Sequence, residues 1–221
     1  MLRENRNRIS KIIALCLSLG VFFLESYGKA SSESDFGSRR TEVAKITEYI
    51  SRVRPGLEKT ERETLSLSIL SASRMLQFPK RSEFAGENEI DKVAFLLGVI
   101  QTESQFKRTA KSHKGALGYM QIMPATAKWL SKTKGIAYSD KSDLFHATTN
   151  LKLGVLFLND LMKETGSPKD ALLAYNAGLG GWKKWGGLPS YPRSIANHYQ
   201  TWKEFETTGS FSYDLALFEE E

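Results

Sequence analysis

Cysteine is nearly absent. The single thiol, Cys16, lies inside an apolar stretch near the N-terminus. A disulfide framework or a cysteine metal site is therefore excluded for everything after it. The lack of thiols suits an oxidising compartment, and it is equally common in cytosolic proteins. Strand signals are scarce too: no sustained alternation of apolar and polar residues occurs, and most apolar spacings are three and four, the period of helices. Six prolines and 17 glycines are too few for a disorder-type composition. No internal repeat is present. Strong charge of one sign is also lacking. The net charge is +6, and much of it sits in the first thirty residues, in Arg3, Arg6, Arg8, Lys11 and Lys29. No basic helix interleaved with aromatics follows, which argues against nucleic acid as a partner. A small positive balance fits weak attraction to an anionic polymer, and equally fits no particular partner. Neither His113 nor His198 has a spacing partner typical of zinc ligands, so no metal is assigned.

The longest apolar run, Ile12 to Leu24, is about 13 residues, short of the roughly 20 that span a bilayer. A basic segment precedes it, and Gly28-Lys29-Ala30 offers small residues at the two positions a signal peptidase reads. Residues 1–30 are expected to be a secretory signal, which places the mature protein in the periplasm or cell envelope. An uncleaved anchor is the alternative reading.

Residues 31–40 are rich in Ser, Asp, Gly and Arg and read as a lead-in. Helices are expected over Thr41–Val53 and Leu57–Leu76, interrupted by Pro55. A polar, turn-like stretch, Phe78–Glu89, comes next. Over Asp91–Phe106, Val93, Leu96, Leu97 and Ile100 fall at i, i+3, i+4 and i+7 and predict one apolar face. A loop punctuated by Gly115 and Gly118 leads to a helix opened by Pro124 and running to Lys132. A longer helix, about Thr148–Glu164, buries Leu153, Leu156, Phe157 and Leu161 and ends at Gly166. Ser167-Pro168-Lys169-Asp170 reads as a helix start with Ser167 as its cap. That helix runs through Tyr175 and stops before Gly178. A Gly/Trp segment reads as a loop, and Ser194–Phe205 as a last helix.

One acidic residue stands out. Glu103 lies three residues beyond Ile100, so it continues the apolar stripe of its helix. A carboxylate there is costly unless paired or protonated, and burial raises its pKa. A carboxylic acid still protonated near neutral pH can protonate a glycosidic oxygen. A glutamate near a helix end also commonly turns out to solvent, and helix geometry by itself does not choose.

Three ordered blocks bear on that choice: Gln101-Thr102-Glu103-Ser104-Gln105-Phe106, then Gly115-Ala116-Leu117-Gly118-Tyr119-Met120-Gln121-Ile122-Met123-Pro124, then Ala174-Tyr175-Asn176-Ala177-Gly178. Together they resemble the catalytic domain of the soluble lytic transglycosylases, a fold related to goose-type lysozyme. The resemblance covers about Asp91 to Tyr199. A looser block, Leu144 to Gly154, keeps Asn150 and Gly154 but has His146-Ala147 where Asp-Pro is usual. The resemblance implies that Glu103 is the single catalytic glutamate and that Ser104 orients the acid or the sugar. It implies that Met120 and Gln121 line the glycan groove. Tyr175 corresponds to the tyrosine whose hydroxyl reaches the catalytic carboxyl, and Asn176 to its neighbour in the cleft. From the residues alone, Met120 could equally be core packing, and Tyr175 a buried aromatic with its hydroxyl bonded to backbone. Two departures stand out. Tyr119 replaces a leucine, and Ile195-Ala196 stand where a Glu-Thr pair often precedes a tyrosine, so the second family glutamate is missing.

The expectation is an all-α protein, with residues 1–30 a signal, 31–88 an N-terminal helical extension, 89–206 a lysozyme-like transglycosylase domain and 207–221 a tail. The implied reaction cleaves the β-1,4 bond between N-acetylmuramic acid and N-acetylglucosamine in peptidoglycan. Glu103 acts as acid and then base, the sugar's own 6-hydroxyl is the nucleophile, and a 1,6-anhydro sugar is the product. No metal or organic cofactor is required. The competing readings are a hydrolytic muramidase on the same fold and a peptidoglycan-binding or scaffold module without turnover. Envelope remodelling, recycling, or clearing for a secretion machine, with a protein partner there, would all use this chemistry. Trp182-Lys183-Lys184-Trp185 could stack on sugars and meet stem carboxylates, or simply pack as a loop.

Overall fold

The computed structural model describes residues 37–79 and 89–209. The expected signal (1–30) and most of the expected C-terminal tail (207–221) lie outside them. By compactness the chain divides into Met1–Ala44 and Lys45–Glu221. Of the first unit, the structure describes residues 37–44, an exposed helical turn in which Thr41 Oγ1 donates to the carbonyl of Gly37.

The first helix, α1, covers residues 37–53. It is followed by α2 (Lys59–Ser73), α3 (Lys92–Ser104), α4 (Pro124–Lys134), a 3-10 turn (Lys141–Phe145), α5 (Ala147–Thr165), α6 (Pro168–Ala177), α7 (Leu179–Trp185) and α8 (Ser190–Thr208). Among the described residues the only β pairing is two isolated bridges, Lys111 with Leu117 and Leu117 with Ile122. The all-α expectation therefore holds. Local signals explain most of the boundaries. Pro55 stands between α1 and α2, Pro124 and Pro168 occupy first helical turns, and Ser167 Oγ accepts the Asp170 amide. Gly166 closes α5 in the left-handed conformation.

Helix α3 is the centre of the second unit. Its expected single apolar face is too narrow a description. Residues Ala94 to Gln101 are buried without a break, while Val93 is only half-buried. A helix apolar on all sides has to be surrounded. Here α8 is its main neighbour, with α2 beside it. Gly98 permits the crossing with α8, since a Cβ there would stand 2.8 Å from the carbonyl oxygen of Ile195. Asp91 caps the start of α3 by accepting the amides of Val93 and Ala94, and it pairs with Lys203 of α8 at 3.0 Å. At the far end, Tyr49 of α1 donates its hydroxyl to Gln101 Oε1 at 2.8 Å, which satisfies a fully buried amide. The Tyr49 ring packs against Phe106, Trp202 and Phe205. The C-terminal half of α1 and all of α2 thus contribute core residues (Ile46, Tyr49, Ile50, Leu65, Ile69) to the same compact unit as α3.

Three expectations need correction. In α5 the apolar side chains at full burial include Leu151, Leu153, Val155 and Leu158, while Leu156 and Phe157 are half-buried. The Gly/Trp segment is a short helix, α7, because positive φ is confined to Gly178 before it and to Gly186 and Gly187 after it. The last helix starts at Ser190 instead of Ser194, with Pro192 accommodated in its first turn, where no backbone donor is needed. That extra turn carries a residue of the site.

Candidate active site

Glu103 sits in the last turn of α3 and is half-buried as a residue. The helix stops two residues on, where Gln105 and Phe106 both hold positive φ, at 51° and 57°. Non-glycine residues rarely adopt this conformation, and two in succession store strain. Phe106 is fully buried among the aromatics around Tyr49, and that packing holds the bend in place.

Burial raises the Glu103 carboxyl from 4.5 to about 7, and a hydrogen bond from Tyr191 partly opposes the rise. Among the described residues, no charge from another carboxylate contributes to it. The Tyr191 hydroxyl donates to Glu103 Oε1 at 2.5 Å. Burial and the neighbouring Glu103 charge hold the phenols of both Tyr191 and Tyr175 well above the ordinary value, so both stay protonated donors.

The tyrosine expected at the carboxyl was Tyr175. Its hydroxyl donates instead to the main-chain carbonyl of Met120 at 2.7 Å, and its ring lies 5.4 Å from that of Phe157. The Glu103 charge acts on the Tyr175 phenol, so the two groups share one site, but the hydrogen bond to the acid belongs to Tyr191. Sequence reading missed Tyr191 because Pro192 placed it ahead of the expected helix. The available signal was that proline is at home in a first helical turn.

The remaining candidates separate into groove and scaffold. Met120 is fully buried, with its sulfur packed on α5 where Gly154 leaves room for it. Its side chain does not line a groove, and its contribution is the carbonyl that receives Tyr175. Ser104 is buried, and its hydroxyl donates to the Ile100 carbonyl at 3.0 Å, within its own helix. Gln121 is half-buried with φ 48°, and its Nε2 donates to the Gly118 carbonyl at 2.9 Å. Asn176 is exposed at the end of α6. Gly118 has φ 77°, and any Cβ there would collide with the Leu144 carbonyl and the Asn150 amide. Asn150 is fully buried and holds this loop by three bonds. Its Oδ1 accepts the Met120 amide, and its Nδ2 donates to the carbonyls of Leu117 and Leu144. The position of the missing family glutamate, Ile195, is fully buried against Gly98 in the α3–α8 crossing.

Tyr119, the departure from leucine, is buried and donates to Glu61 of α2 at 2.8 Å; Arg108 lies 3.7 Å from the same carboxylate. On α7, Trp185 is exposed and Lys183 pairs with Glu164 at 2.8 Å. His198 is buried, which pushes it down to about 4.

Comparison with known proteins gives one match to a family model, described as the transglycosylase SLT domain, over residues 82–194, just over half the chain. The transglycosylase of Enterobacteria phage PRD1 is 36% identical over 99 residues, covering 44% of this chain and 34% of that protein. Membrane-bound lytic murein transglycosylase C of Histophilus somni is 35% identical over 106 residues, covering 43% and 29%. Among solved structures, the 70-kDa soluble lytic transglycosylase of Escherichia coli aligns at 22% identity with a TM-score of 0.44, covering 71% of this chain and 32% of that one. The matches span about a third or less of these relatives' own lengths.

Proposed function

Since the chain belongs to the transglycosylase SLT domain family, we propose that it is a peptidoglycan lytic transglycosylase. It cleaves the β-1,4 bond between N-acetylmuramic acid and N-acetylglucosamine and leaves a 1,6-anhydro-N-acetylmuramic acid end. The observation that carries this reading is a carboxyl group raised by burial to about 7 and touched by a tyrosine donor, with no second carboxylate of the described residues acting on it.

Ordinary glycosidases flank the bond with two carboxyl groups, one of them serving as nucleophile or as the base that activates water. A lone acid suits a reaction whose nucleophile belongs to the substrate. Glu103, protonated, gives its proton to the leaving O4 of the N-acetylglucosamine unit as the C1–O4 bond breaks. The muramic acetamido group covers the anomeric carbon in the interval. The Glu103 carboxylate then takes the proton of the 6-hydroxyl as O6 bonds to C1. The acid is regenerated and no water is consumed. A pKa near 7 serves both steps, because the group must be able to give a proton and to take one back. Attack within one sugar ring avoids the entropy of gathering a separate nucleophile.

Tyr191 positions the carboxyl and moderates its basicity, and Tyr175 holds the loop of Met120 against α6. Ser104 and Met120 support this frame from beneath, and Gln121 and Asn176 are the nearer candidates for sugar contact. The reading also takes residues 1–30 as an export signal and the cell envelope as the site of action. Among the described residues no helix is long and apolar enough to cross a membrane. Product analysis on purified sacculi tests the proposal. Wild type releases anhydro-ended fragments and Glu103→Gln releases none. Fragments heavier by one water would make the enzyme a hydrolytic muramidase, and activity surviving in Glu103→Gln would remove Glu103 from the chemistry.

A further inference from the structure

The bond between Tyr119 and Glu61 has no part in the proton transfers at Glu103, yet it ties the loop beside the site to a helix outside the family region. Glu61 lies in the first turn of α2, ahead of the matched residues 82–194. Its Oε1 accepts the Tyr119 hydroxyl at 2.8 Å, and Arg108 Nε stands 3.7 Å from the same oxygen. Tyr119 is 1% exposed. Burial first, and the bond to Glu61 next, push its phenol well above the ordinary value, so it stays a donor throughout the working pH range. A phenol donating to a carboxylate makes a charge-assisted bond, stronger than one between neutral groups.

What this bond holds is a strained turn. Gly118 and Gln121 both take positive φ, at 77° and 48°. Glutamine rarely adopts that conformation, and it persists only where the surroundings over-determine it. Tyr119 and Met120 stand between the two. Met120 is tied through its main chain, its amide to Asn150 of α5 and its carbonyl to Tyr175 of α6. Tyr119 supplies the tie to α2. Gln121 itself bonds back into the turn, since its amide and its Nε2 both donate to the Gly118 carbonyl. Its direction therefore follows from how the two residues before it are held.

We propose that Glu61, acting through Tyr119, is a positioning residue for Gln121 and so sets the affinity for the glycan strand. Gln121 as a sugar contact rests on the function proposed above, but the binding test does not require turnover. The full chain is titrated with a soluble N-acetylglucosamine oligosaccharide and assayed on sacculi. Tyr119→Phe binds the oligosaccharide about tenfold more weakly, the scale of one hydrogen bond to a charged group. On sacculi its KM rises by a similar factor, kcat changes less than about twofold, and the pH limb set by Glu103 stays in place. Glu61→Leu repeats the loss. Glu61→Gln keeps an acceptor oxygen and recovers most of it, because the half-exposed Arg108 contributes little. The combination with Gln121→Ala separates positioning from plain stability. Adding Tyr119→Phe to Gln121→Ala lowers Tm as it does alone, but weakens binding no further. Unchanged affinity in Tyr119→Phe, or a second tenfold loss on top of Gln121→Ala, overturns the proposal. So does Glu61→Gln behaving as Glu61→Leu, or a wild type that does not bind the oligosaccharide. The expected binding shifts in a protein that leaves no anhydro ends would overturn the reaction proposed above and leave this assignment standing.

Discussion

The burial that suits Glu103 to its proposed role costs stability. Burial lifts it from 4.5 to about 7, so between those values the folded chain binds a proton that the unfolded chain has released. Stability therefore falls as pH rises through that window and stays reduced above it. Glu103→Gln keeps the shape and removes the charge. It is expected to be more stable than wild type at pH above about 8, by on the order of 2 kcal/mol, and so to melt higher, with the gap closing below about pH 4.5. Calorimetry at the two pH values checks this, and an equal gap at both would show that the carboxyl is not raised. For catalysis the sign follows from the first step. The acid must be protonated, so kcat is expected to hold below about 7 and to fall above it. Tyr191→Phe removes a donor that favours the ionised form. The falling limb should then move to higher pH by about one to two units, since hydrogen bonds to charged groups are worth roughly 1.5–3 kcal/mol. A pH–rate profile unchanged in Tyr191→Phe would deny that residue a positioning role.

At the scale of elements, the site depends on how closely α3 and α8 cross. Gly98→Ala would gain helix propensity, but its Cβ would press on a backbone carbonyl that cannot turn aside. Overpacking of this kind costs about 1–3 kcal/mol. The expected result is a lower Tm together with a larger loss of kcat than of substrate binding, because Tyr191 moves with α8. The loop opposite is fixed by Asn150. Asn150→Ala would leave the Met120 amide and the Leu144 carbonyl without their partners and take one of two bonds from the Leu117 carbonyl, which keeps the Ile122 amide. A loss of about 3 kcal/mol is expected in urea unfolding. A loss under about 0.5 kcal/mol, the range of a neutral surface change, would show that the loop holds without it. Helix starts and stops were largely legible beforehand, since Pro124, Gly166 and the Ser167-Pro168 pair act within a few residues of themselves. The early start of α8 was hidden because Pro192 reads as a boundary from one side and as a first-turn residue from the other.

At the largest scale, helix α3 is not enclosed by the family region alone. Tyr49, Ile50, Leu65 and Ile69 come from α1 and α2, and they are fully buried. A fragment beginning at Glu89 would expose the surfaces of α3 and α5 they cover and leave Gln101 without the Tyr49 hydroxyl. It is expected to lose cooperative unfolding and all activity on sacculi, as seen by circular dichroism melts and product analysis. A fragment that melts as sharply as the full chain would make α1 and α2 a separable extension. Their service as a brace was open from sequence, because apolar residues at spacings of three and four state that a helix has a buried face without naming what covers it.

The sequence by itself determined the helical class, most helix ends, and the candidacy of Glu103, because each follows from periodicity, capping chemistry or position on an apolar stripe. Tertiary structure alone decided which tyrosine meets the acid. Tyr175 was nearer in expectation, yet Tyr191, separated from Glu103 by 88 residues, makes the bond. It also decided that Met120 is core and that α3 is wrapped on all sides. These outcomes depend on the crossing of α3 with α8 and on a glycine that permits it. A contact between distant segments leaves no period in either of them.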